Sequence, residues 1–311
     1  MTRVVYPSAR LSANGATALV DTVDDGWRVR DLPSGRVRWD LAQEADLAHV
    51  ALSASGNAVA WVEERGQVTI LTGAGRIRGD LPAPRERIRA IAISDNGDHV
   101  AVLRAAGEDG TNGELLLIRR EARDEAIAGT ELPVYDSGFI LANDDCSLLA
   151  VRSSSTIDEQ QHSEAFVRDE GLLRPLWTKG TAPVSHGALA LYGEWLFAAT
   201  ADGLAGWRRT GVQLTVPGSM RERMIFSPDG SHLLASVAEE VIDVTSARMR
   251  FRLIDLASLT ETRFTSHLIE GRRGAQFVLD TALDLFEVRV TKAGEVAVKM
   301  LGWSDGAASI A

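Results

Sequence analysis

The stretch FSPDGSHLLAS, residues 226–236, places a Pro-Asp-Gly turn between two short apolar runs. Proline and glycine favour a tight reversal, because proline fixes its own φ angle and glycine tolerates a positive one. The stretch therefore predicts a β-hairpin. One hairpin says little about a fold, whereas a hairpin that recurs at a fixed interval indicates a repeat architecture.

The hairpin does recur, with three copies spaced 41 residues apart and one degenerate copy. These copies are LSANGATALV (11–20), LSASGNAVAW (52–61), ISDNGDHVAV (93–102) and the degenerate LANDDCSLLAV (141–151). The segment SGRVRWDL (34–41) also returns as AGRIRGDL (74–81), offset by 40 residues. The short apolar runs between turns rich in Gly, Asn and Asp indicate strands, so each repeat is an all-β unit.

Seven units of about four strands each account for the 311 residues. The predicted blades lie at about 8–41, 47–81, 88–135, 137–177, 184–216, 222–265 and 273–301. The seventh unit has only three predicted strands, and residues 2–6, TRVVY, would supply the fourth. That strand would join the chain ends and remove open sheet edges. We therefore predict an all-β fold, a single closed seven-bladed β-propeller with four antiparallel strands per blade.

The hairpin pattern resembles the WD40-like and PD40 (TolB-type) β-propeller repeats, in which an FSPDG hairpin links the two innermost strands of a blade. The resemblance is strongest at residues 53–62, 94–102 and 227–236, and it diverges from true WD40 repeats. The Gly-His opening is missing, and a Trp-Asp ending occurs only at residues 39–40. The segment 30–39 is also similar to the tryptophan-docking segment of quinoprotein propellers, but one copy does not predict a quinone cofactor. The resemblance implies a fold and no particular function.

Composition excludes several classes of function. A net charge of −10 argues against nucleic-acid binding, which depends on a cationic surface. No apolar run approaches the roughly 18 residues that cross a bilayer, and MTRVVYPSAR lacks the apolar core of a signal peptide. A single cysteine permits no internal disulfide. We therefore expect a cytoplasmic protein without membrane insertion. The 30 arginines against three lysines are typical of GC-rich codon usage.

No pattern of catalytic, cofactor-binding or metal-ligating residues emerges. The six histidines are scattered without ligand spacing, and no GxSxG, P-loop or GxGxxG motif occurs. His99 and His232 occupy equivalent repeat positions, which predicts a shared packing or hydrogen-bonding role. Cys146, in an apolar run, is expected to be a buried small hydrophobe. The loop GEDGTNGE (107–114) lacks the ligand register of a calcium loop.

Charged residues suggest instead a binding face. Several arginines fall just before or at the start of innermost strands, at one mouth of the channel: Arg87, Arg89, Arg221, Arg223, Arg272 and Arg273. The long loops between second and third strands, 105–112, 153–162 and 238–247, rise on the same face. They carry the acids Glu108, Asp109, Asp158, Glu159, Glu239 and Glu240. We hypothesise that this face binds a partner protein or an anionic peptide; alternatively, the charges pair with each other across blades and keep the surface soluble.

The sequence thus favours a non-catalytic interaction scaffold, working as a subunit of a larger assembly. Its resemblance to stand-alone propellers implies, by analogy only, an ATPase-containing partner such as the bacterial systems with a MoxR-type ATPase and a von Willebrand A-type protein.

The alternative is a lactonase- or hydrolase-type propeller with a small molecule or metal in its channel, but the innermost strands offer little beyond His49, Gln276 and arginines. A lectin would repeat one aromatic position per blade. The seven tryptophans do not, which predicts packing between blades.

Overall fold

The computed structural model describes most of the chain as a ring of β-sheets. The described residues are 9–22, 26–41, 49–63, 66–81, 84–106, 112–120, 126–135, 137–154, 161–176, 189–200, 203–210, 213–218, 222–243, 245–270, 274–291 and 295–304. Within these ranges the strands form seven antiparallel sheets, each with its strands in sequence order. A 3-10 turn at Arg85–Arg87 precedes the third sheet.

The first four blades each contain four strands. Blade 1 has β1 (Ala9–Leu11), β2 (Thr17–Thr22), β3 (Gly26–Asp31) and β4 (Val37–Leu41). Blade 2 has β5 (Val50–Leu52), β6 (Ala58–Val62), β7 (Gln67–Thr72) and β8 (Gly75–Asp80). Blade 3 has β9 (Ile88–Ile93), β10 (His99–Ala106), β11 (Asn112–Arg119) and β12 (Ala126–Pro133). Blade 4 has β13 (Ser137–Ala142), β14 (Leu148–Ser154), β15 (Gln161–Asp169) and β16 (Leu172–Pro175).

The remaining three blades complete the ring. Blade 5 has β17 (Leu189–Tyr192), β18 (Trp195–Thr200), β19 (Gly203–Arg208) and β20 (Gln213–Val216). Blade 6 has β21 (Arg223–Phe226), β22 (His232–Val241), β23 (Ala247–Asp255) and β24 (Thr260–Ile269). Blade 7 has β25 (Gln276–Leu279), β26 (Leu285–Val290) and β27 (Val296–Leu301). The prediction of a seven-bladed all-β propeller is confirmed; the closing strand predicted at residues 2–6 lies outside the described residues.

The repeated serine explains why the hairpin recurs in the sequence. The Ser227 hydroxyl accepts a hydrogen bond from the backbone N–H of His232, five residues on, at 2.9 Å. Ser12, Ser53 and Ser94 accept the equivalent bond at 2.9–3.0 Å, and the Asn143 side chain does so in blade 4. The third residue after each of these has a positive φ, which glycine adopts at least cost. Cys146 takes that position in blade 4, with a φ of 55°.

Each gap between neighbouring blades is filled by its own apolar cluster, which is how the ring holds together. Six clusters join blades 1 to 7 in succession, and their cores include Val59, Ile91, Leu117, Leu196, Phe226 and Phe251. A seventh packs Val278, Phe286 and Val288 of blade 7 against Leu11 and Leu32 of blade 1. This last contact closes the ring. Tight burial in all seven gaps is the main source of stability expected for such a fold.

The tryptophans pack between blades, as predicted. Six of them belong to or pack against an inter-blade cluster. These are Trp27, Trp39 and Trp61 between blades 1 and 2, Trp207 between blades 4 and 5, Trp195 between blades 5 and 6, and Trp303 between blades 6 and 7. Trp177 lies outside the described residues. An aromatic set distributed over the gaps in this way serves the ring rather than a repeated ligand site.

Two predicted boundaries were wrong. The sequence predicts the last strand of blade 3 at residues 131–135, within the blade range 88–135, but this strand spans Ala126–Pro133 because it pairs along nearly all of β11 despite its weak β-propensity. The expected loop at 238–247 is mostly strand, since β22 continues to Val241 and β23 begins at Ala247. The turn between them is short because the Asp243 carboxylate accepts bonds from the N–H groups of Thr245 and Ser246. Glu239 and Glu240 therefore lie in a strand, not in a loop.

Candidate functional site

The strand order gives the ring two different faces. The turns that join first to second strands, including the opening hairpin, lie at one end, which we call the hairpin face. Connections between successive blades, together with the links from second to third strands, lie at the other end, which we call the crossover face. This arrangement follows from four antiparallel strands in sequence order, and the sequence predicted it.

The first strands of all seven blades line one central cavity of about 570 Å³. Its wall includes large apolar side chains that are only partly buried, namely Leu11, Leu52, Phe139, Leu141, Leu189, Met224, Ile225 and Phe277. The polar side chains among its described lining residues are Arg10, Ser12, Arg223, Ser236 and Gln276. The volume lies within the range of small-molecule pockets in proteins.

The turn of blade 1 spans the hairpin end of this cavity. The backbone N–H of Phe226 in blade 6 donates to the Ala13 carbonyl at 3.0 Å. The backbone N–H of Asn14 donates to the Ala54 carbonyl of blade 2 at 3.3 Å, and Asn14 Nδ2 lies 3.5 Å from the Pro228 carbonyl oxygen. Asn14 itself is buried, so the blade 1 turn covers the hairpin end of the cavity. At the crossover end the lining residue Arg223 is exposed, and we take that end as the mouth.

Of the predicted arginines within the described residues, Arg223 lines the cavity, and Arg87 and Arg89 lie on the crossover face at the start of blade 3. Arg223 is the first residue of β21, is exposed and lines the cavity. Arg87 is exposed in the 3-10 turn before β9, and Arg89 Nη1 donates to the Glu86 carbonyl at 2.7 Å. Arg10, which the sequence reasoning overlooked, also lines the cavity and donates to the Val50 carbonyl at 3.3 Å. The other named site residues lie outside the described ranges: Arg221, Arg272, Arg273, Glu108, Asp109, Asp158 and Glu159.

Blade 6 rises above the crossover face. The register pairs Arg223 with Ser236, so β22 continues for five residues beyond the start of the innermost strand, or about 16 Å. In the other blades the described second strand extends by two residues at most. We call residues 237–243, 245–250 and 266–269 the blade 6 projection.

The acids predicted for this face pair within the projection itself. Glu239 Oε2 accepts a hydrogen bond from the Ser266 hydroxyl at 2.8 Å, and its other carboxylate oxygen lies 3.8 Å from Arg250 Nε. Glu240 Oε2 lies 3.7 Å from Arg248 Nε. These two acids therefore neutralise arginines of their own blade. The alternative of mutual pairing describes them well, although it joins strands of one blade and not different blades.

A second cleft, on the hairpin face, had no sequence signal. Its volume is about 530 Å³, and His99 lines it together with three arginines and three acids from blades 3, 4 and 5. The charged residues are Arg119, Arg168, Arg209, Asp98, Asp169 and Glu170. The opposite charges balance in number, which does not select an anionic or a cationic ligand. Burial, reinforced by the charge of Arg168, lowers the pKa of His99 below its usual value. The histidine is therefore neutral near pH 7.

Cys146 lies buried at the turn of blade 4, close to this cleft. Complete burial is the main cause that raises the pKa of its thiol far above the usual value, and the nearby charge of Asp145 adds to the shift. A thiol that stays protonated and enclosed cannot act as a nucleophile. This agrees with the prediction of a small buried hydrophobe.

A thiol reagent such as 5,5′-dithiobis(2-nitrobenzoate) should accordingly label native Cys146 at least about a hundredfold more slowly than the urea-unfolded chain. Reaction would require local opening of the blade 4 turn. The absorbance of the released thiolate measures both rates on the same sample. Equal rates in buffer and in urea would contradict the burial of this side chain.

The described part of the chain offers neither a metal-binding cluster nor a membrane-spanning helix. No group of three or more His, Cys, Asp or Glu side chains is placed to hold a metal ion there. None of its helical segments has the length and apolar character required to span a bilayer.

Comparisons with known proteins identify the fold and nothing finer. No family model and no curated protein sequence matches the chain. A crystal structure of the eukaryotic initiation factor is similar over 95% of this chain and 80% of its own, with a TM-score of 0.56 and 11% identity. Hydrazine synthase of Kuenenia stuttgartiensis is similar over 96% of this chain and 98% of its own, with a TM-score of 0.53 and 12% identity. At such low identity these likenesses support the seven-bladed architecture alone.

Proposed function

We propose that this propeller is a non-catalytic protein–protein interaction scaffold, and that the crossover face binds a partner protein through the blade 6 projection together with Arg87 and Arg223. The observation that carries the proposal is a group of exposed apolar side chains on the projection. Val241, Ile242 and Leu268 are 56%, 51% and 50% exposed. Val241 is the last residue of β22 and Ile242 follows it, while Leu268 of β24 pairs with Arg248 of β23. Because successive side chains alternate between the two faces of a sheet, Ile242 and Leu268 share a face with Arg248, and Val241 lies on the other face.

The position of these side chains distinguishes them from other exposed apolar residues. Among the described residues, the remaining large exposed hydrophobics are Val37, Leu172, Leu259 and Met300. They lie toward the hairpin face and belong to four different blades. Isolated apolar residues on a surface are ordinary, whereas Ile242 and Leu268 share one face of a projecting element with Arg248. Exposed apolar side chains beside an arginine on such an element resemble the core of a binding site.

The surroundings of the apolar group suit a partner with acidic and apolar side chains. Arg248 and Arg250 flank it and are about half exposed, although each already faces a glutamate of β22. Arg87 and Arg223 provide further positive charge on the same face. Exposed arginine next to apolar residues is enriched at interface centres. The described lining of the central cavity contains no Asp, Glu, His, Cys or Lys, which supports binding rather than turnover.

Three finer parts of the proposal rest on resemblance and composition. The hairpin repeats suggest a divergent WD40-like or PD40 propeller. The composition suggests a cytoplasmic location. By analogy with stand-alone propellers, the partner belongs to an assembly that contains an ATPase.

A photo-cross-linking amino acid at position 242, introduced in the cells that make the protein, tests the proposal. We expect a specific partner to be trapped and identified by mass spectrometry. The matched control is position 172 on the hairpin face, where the leucine is 56% exposed. Equal labelling of the same proteins from both positions would argue against a dedicated surface on blade 6.

The purified partner then permits a quantitative test. Ile242→Ser combined with Leu268→Ser should weaken binding at least about tenfold, because central apolar side chains contribute most of the affinity of an interface. Leu172→Ser should leave the affinity unchanged. Arg87→Ala with Arg223→Ala should mainly slow association and reduce its salt dependence. An unchanged affinity of the Ile242→Ser, Leu268→Ser variant would refute the proposed surface.

A further inference from the structure

We infer that the central cavity is a second binding site, for an amphiphilic anion with an alkyl chain and a single carboxylate at one end. This site lies inside the ring and shares only Arg223 with the proposed partner surface, and its test uses the purified protein without a partner. The wall of the cavity is mostly apolar. Large apolar side chains from six of the seven blades stay partly exposed along the wall of the central cavity, whose volume is about 570 Å³. Covering them with an apolar ligand removes that surface from water, which is favourable.

Phe139 is an apolar side chain of the cavity wall that has no role in packing between blades. It lines the cavity, remains partly exposed, and takes no part in any of the seven clusters that fill the gaps between blades. Its neighbour Ile140, by contrast, packs into the cluster between blades 3 and 4. An aromatic ring that does not serve inter-blade packing is available to contact a bound chain.

The polar groups are confined to one sector of the wall. Arg223 and Ser236 of blade 6, Gln276 of blade 7 and Arg10 of blade 1 line the cavity on neighbouring blades. Arg223 and Ser236 are direct cross-strand partners, and Arg223 is the first residue of its strand, at the accessible mouth. The opposite end, beneath the blade 1 turn, is lined by apolar residues such as Ala54, Ile93 and Ala142, with Ser12 engaged in its own hairpin.

Charge complementarity selects the head group. Arg10 and Arg223 both line the cavity, and no carboxylate does so among the described residues. The Arg223 guanidinium makes no hydrogen bond or ion pair within the described part of the chain, so its donors are available. A planar guanidinium binds a carboxylate through two parallel hydrogen bonds. The ligand would enter from the crossover face with its chain directed toward the closed end and its carboxylate left at the mouth.

Calorimetric titration of the purified protein with dodecanoate, below the concentration at which it forms micelles, tests the inference. We expect saturable binding of one molecule per chain. Butanoate has the head without the tail, and dodecyltrimethylammonium has the tail with the opposite charge; both should bind at least about tenfold more weakly. This comparison uses the wild-type protein and needs no variant. Failure to saturate with dodecanoate, or equal binding of the cationic amphiphile, would overturn the site.

Variants then locate the head and the tail. Arg223→Gln should weaken dodecanoate binding about ten- to a hundredfold, and Arg223→Glu should reverse the preference toward the cationic amphiphile. Arg78→Gln, at a side chain 62% exposed outside the cavity, serves as the matched control. Phe139→Ala should weaken both long-chain probes alike. An unchanged affinity in a folded Arg223→Gln protein would exclude the proposed head-group position, and binding of a tetraleucine peptide without dodecanoate binding would assign the cavity to a peptide terminus.

Discussion

Replacing Glu222 by leucine should lower the free energy of unfolding by about 3 kcal/mol, the lower end of the cost of breaking a buried ion pair, because it removes the closer of the two carboxylates that face a buried arginine. Glu222 is 1% exposed, and its Oε2 lies 2.8 Å from Nη2 of Arg252 on β23, whose side chain is 9% exposed. The same Nη2 donates to the Pro217 carbonyl at 2.8 Å, and Glu261 approaches Nη1 at 3.4 Å. This group ties the passage from blade 5 to blade 6 onto the strands of blade 6.

Urea denaturation followed by tryptophan fluorescence measures the effect. The double variant Glu222→Leu, Arg252→Met should recover most of the lost stability, since removing both charges avoids the desolvation cost that the single variant incurs. Arg248→Met, which removes an exposed arginine 3.7 Å from Glu240, should change stability by less than about 1 kcal/mol. Similar unfolding midpoints for Glu222→Leu and Arg248→Met would contradict this assignment.

Gly56→Ala should destabilise the ring by about 2–5 kcal/mol, through backbone strain and a steric clash between blades 1 and 2. Gly56 has a φ of +76°, and an added Cβ would lie 1.6 Å from Oγ1 and 2.5 Å from Cβ of Thr17. Thr17 is fully buried and donates to the Ser55 carbonyl at 3.3 Å, so it cannot move aside. The turn of blade 2 depends on glycine for this close approach as well as for its φ.

The matched control separates the two causes. Gly75 also has a positive φ, of +127°, but an added Cβ there would meet nothing within 4 Å. Gly75→Ala should therefore cost about 1–3 kcal/mol from backbone strain alone. Denaturation midpoints of the two variants compare them directly. If Gly75→Ala were as damaging as Gly56→Ala, contact with Thr17 would not be the reason.

The hairpin chemistry explains why the fold could be predicted. The serine of each copy accepts a bond from an N–H five residues away, and the glycine between them supplies a positive φ. Both requirements act within six residues, so they leave a visible pattern wherever the hairpin occurs. Repetition at about 41 residues then implied the blades. Local patterns were also the reason that the loop prediction in blade 6 was wrong. Residues 238–241 were predicted as part of a loop, but they form strand because they pair with β23.

The sequence by itself determined the class of fold, the number of blades and the face on which each turn lies, since these follow from local turn chemistry and its period. Only the tertiary structure decided which distant side chains meet. Arg10 and Arg223 line one cavity although 213 positions separate them, and Glu222 reaches Arg252 across 30. Contacts between blades depend on ring closure and on the register of neighbouring sheets, and neither leaves a periodic mark in the residues concerned. The fold could therefore be predicted from one recurring hairpin. The central cavity, the buried ion pair and the blade 6 projection could not be predicted from the sequence.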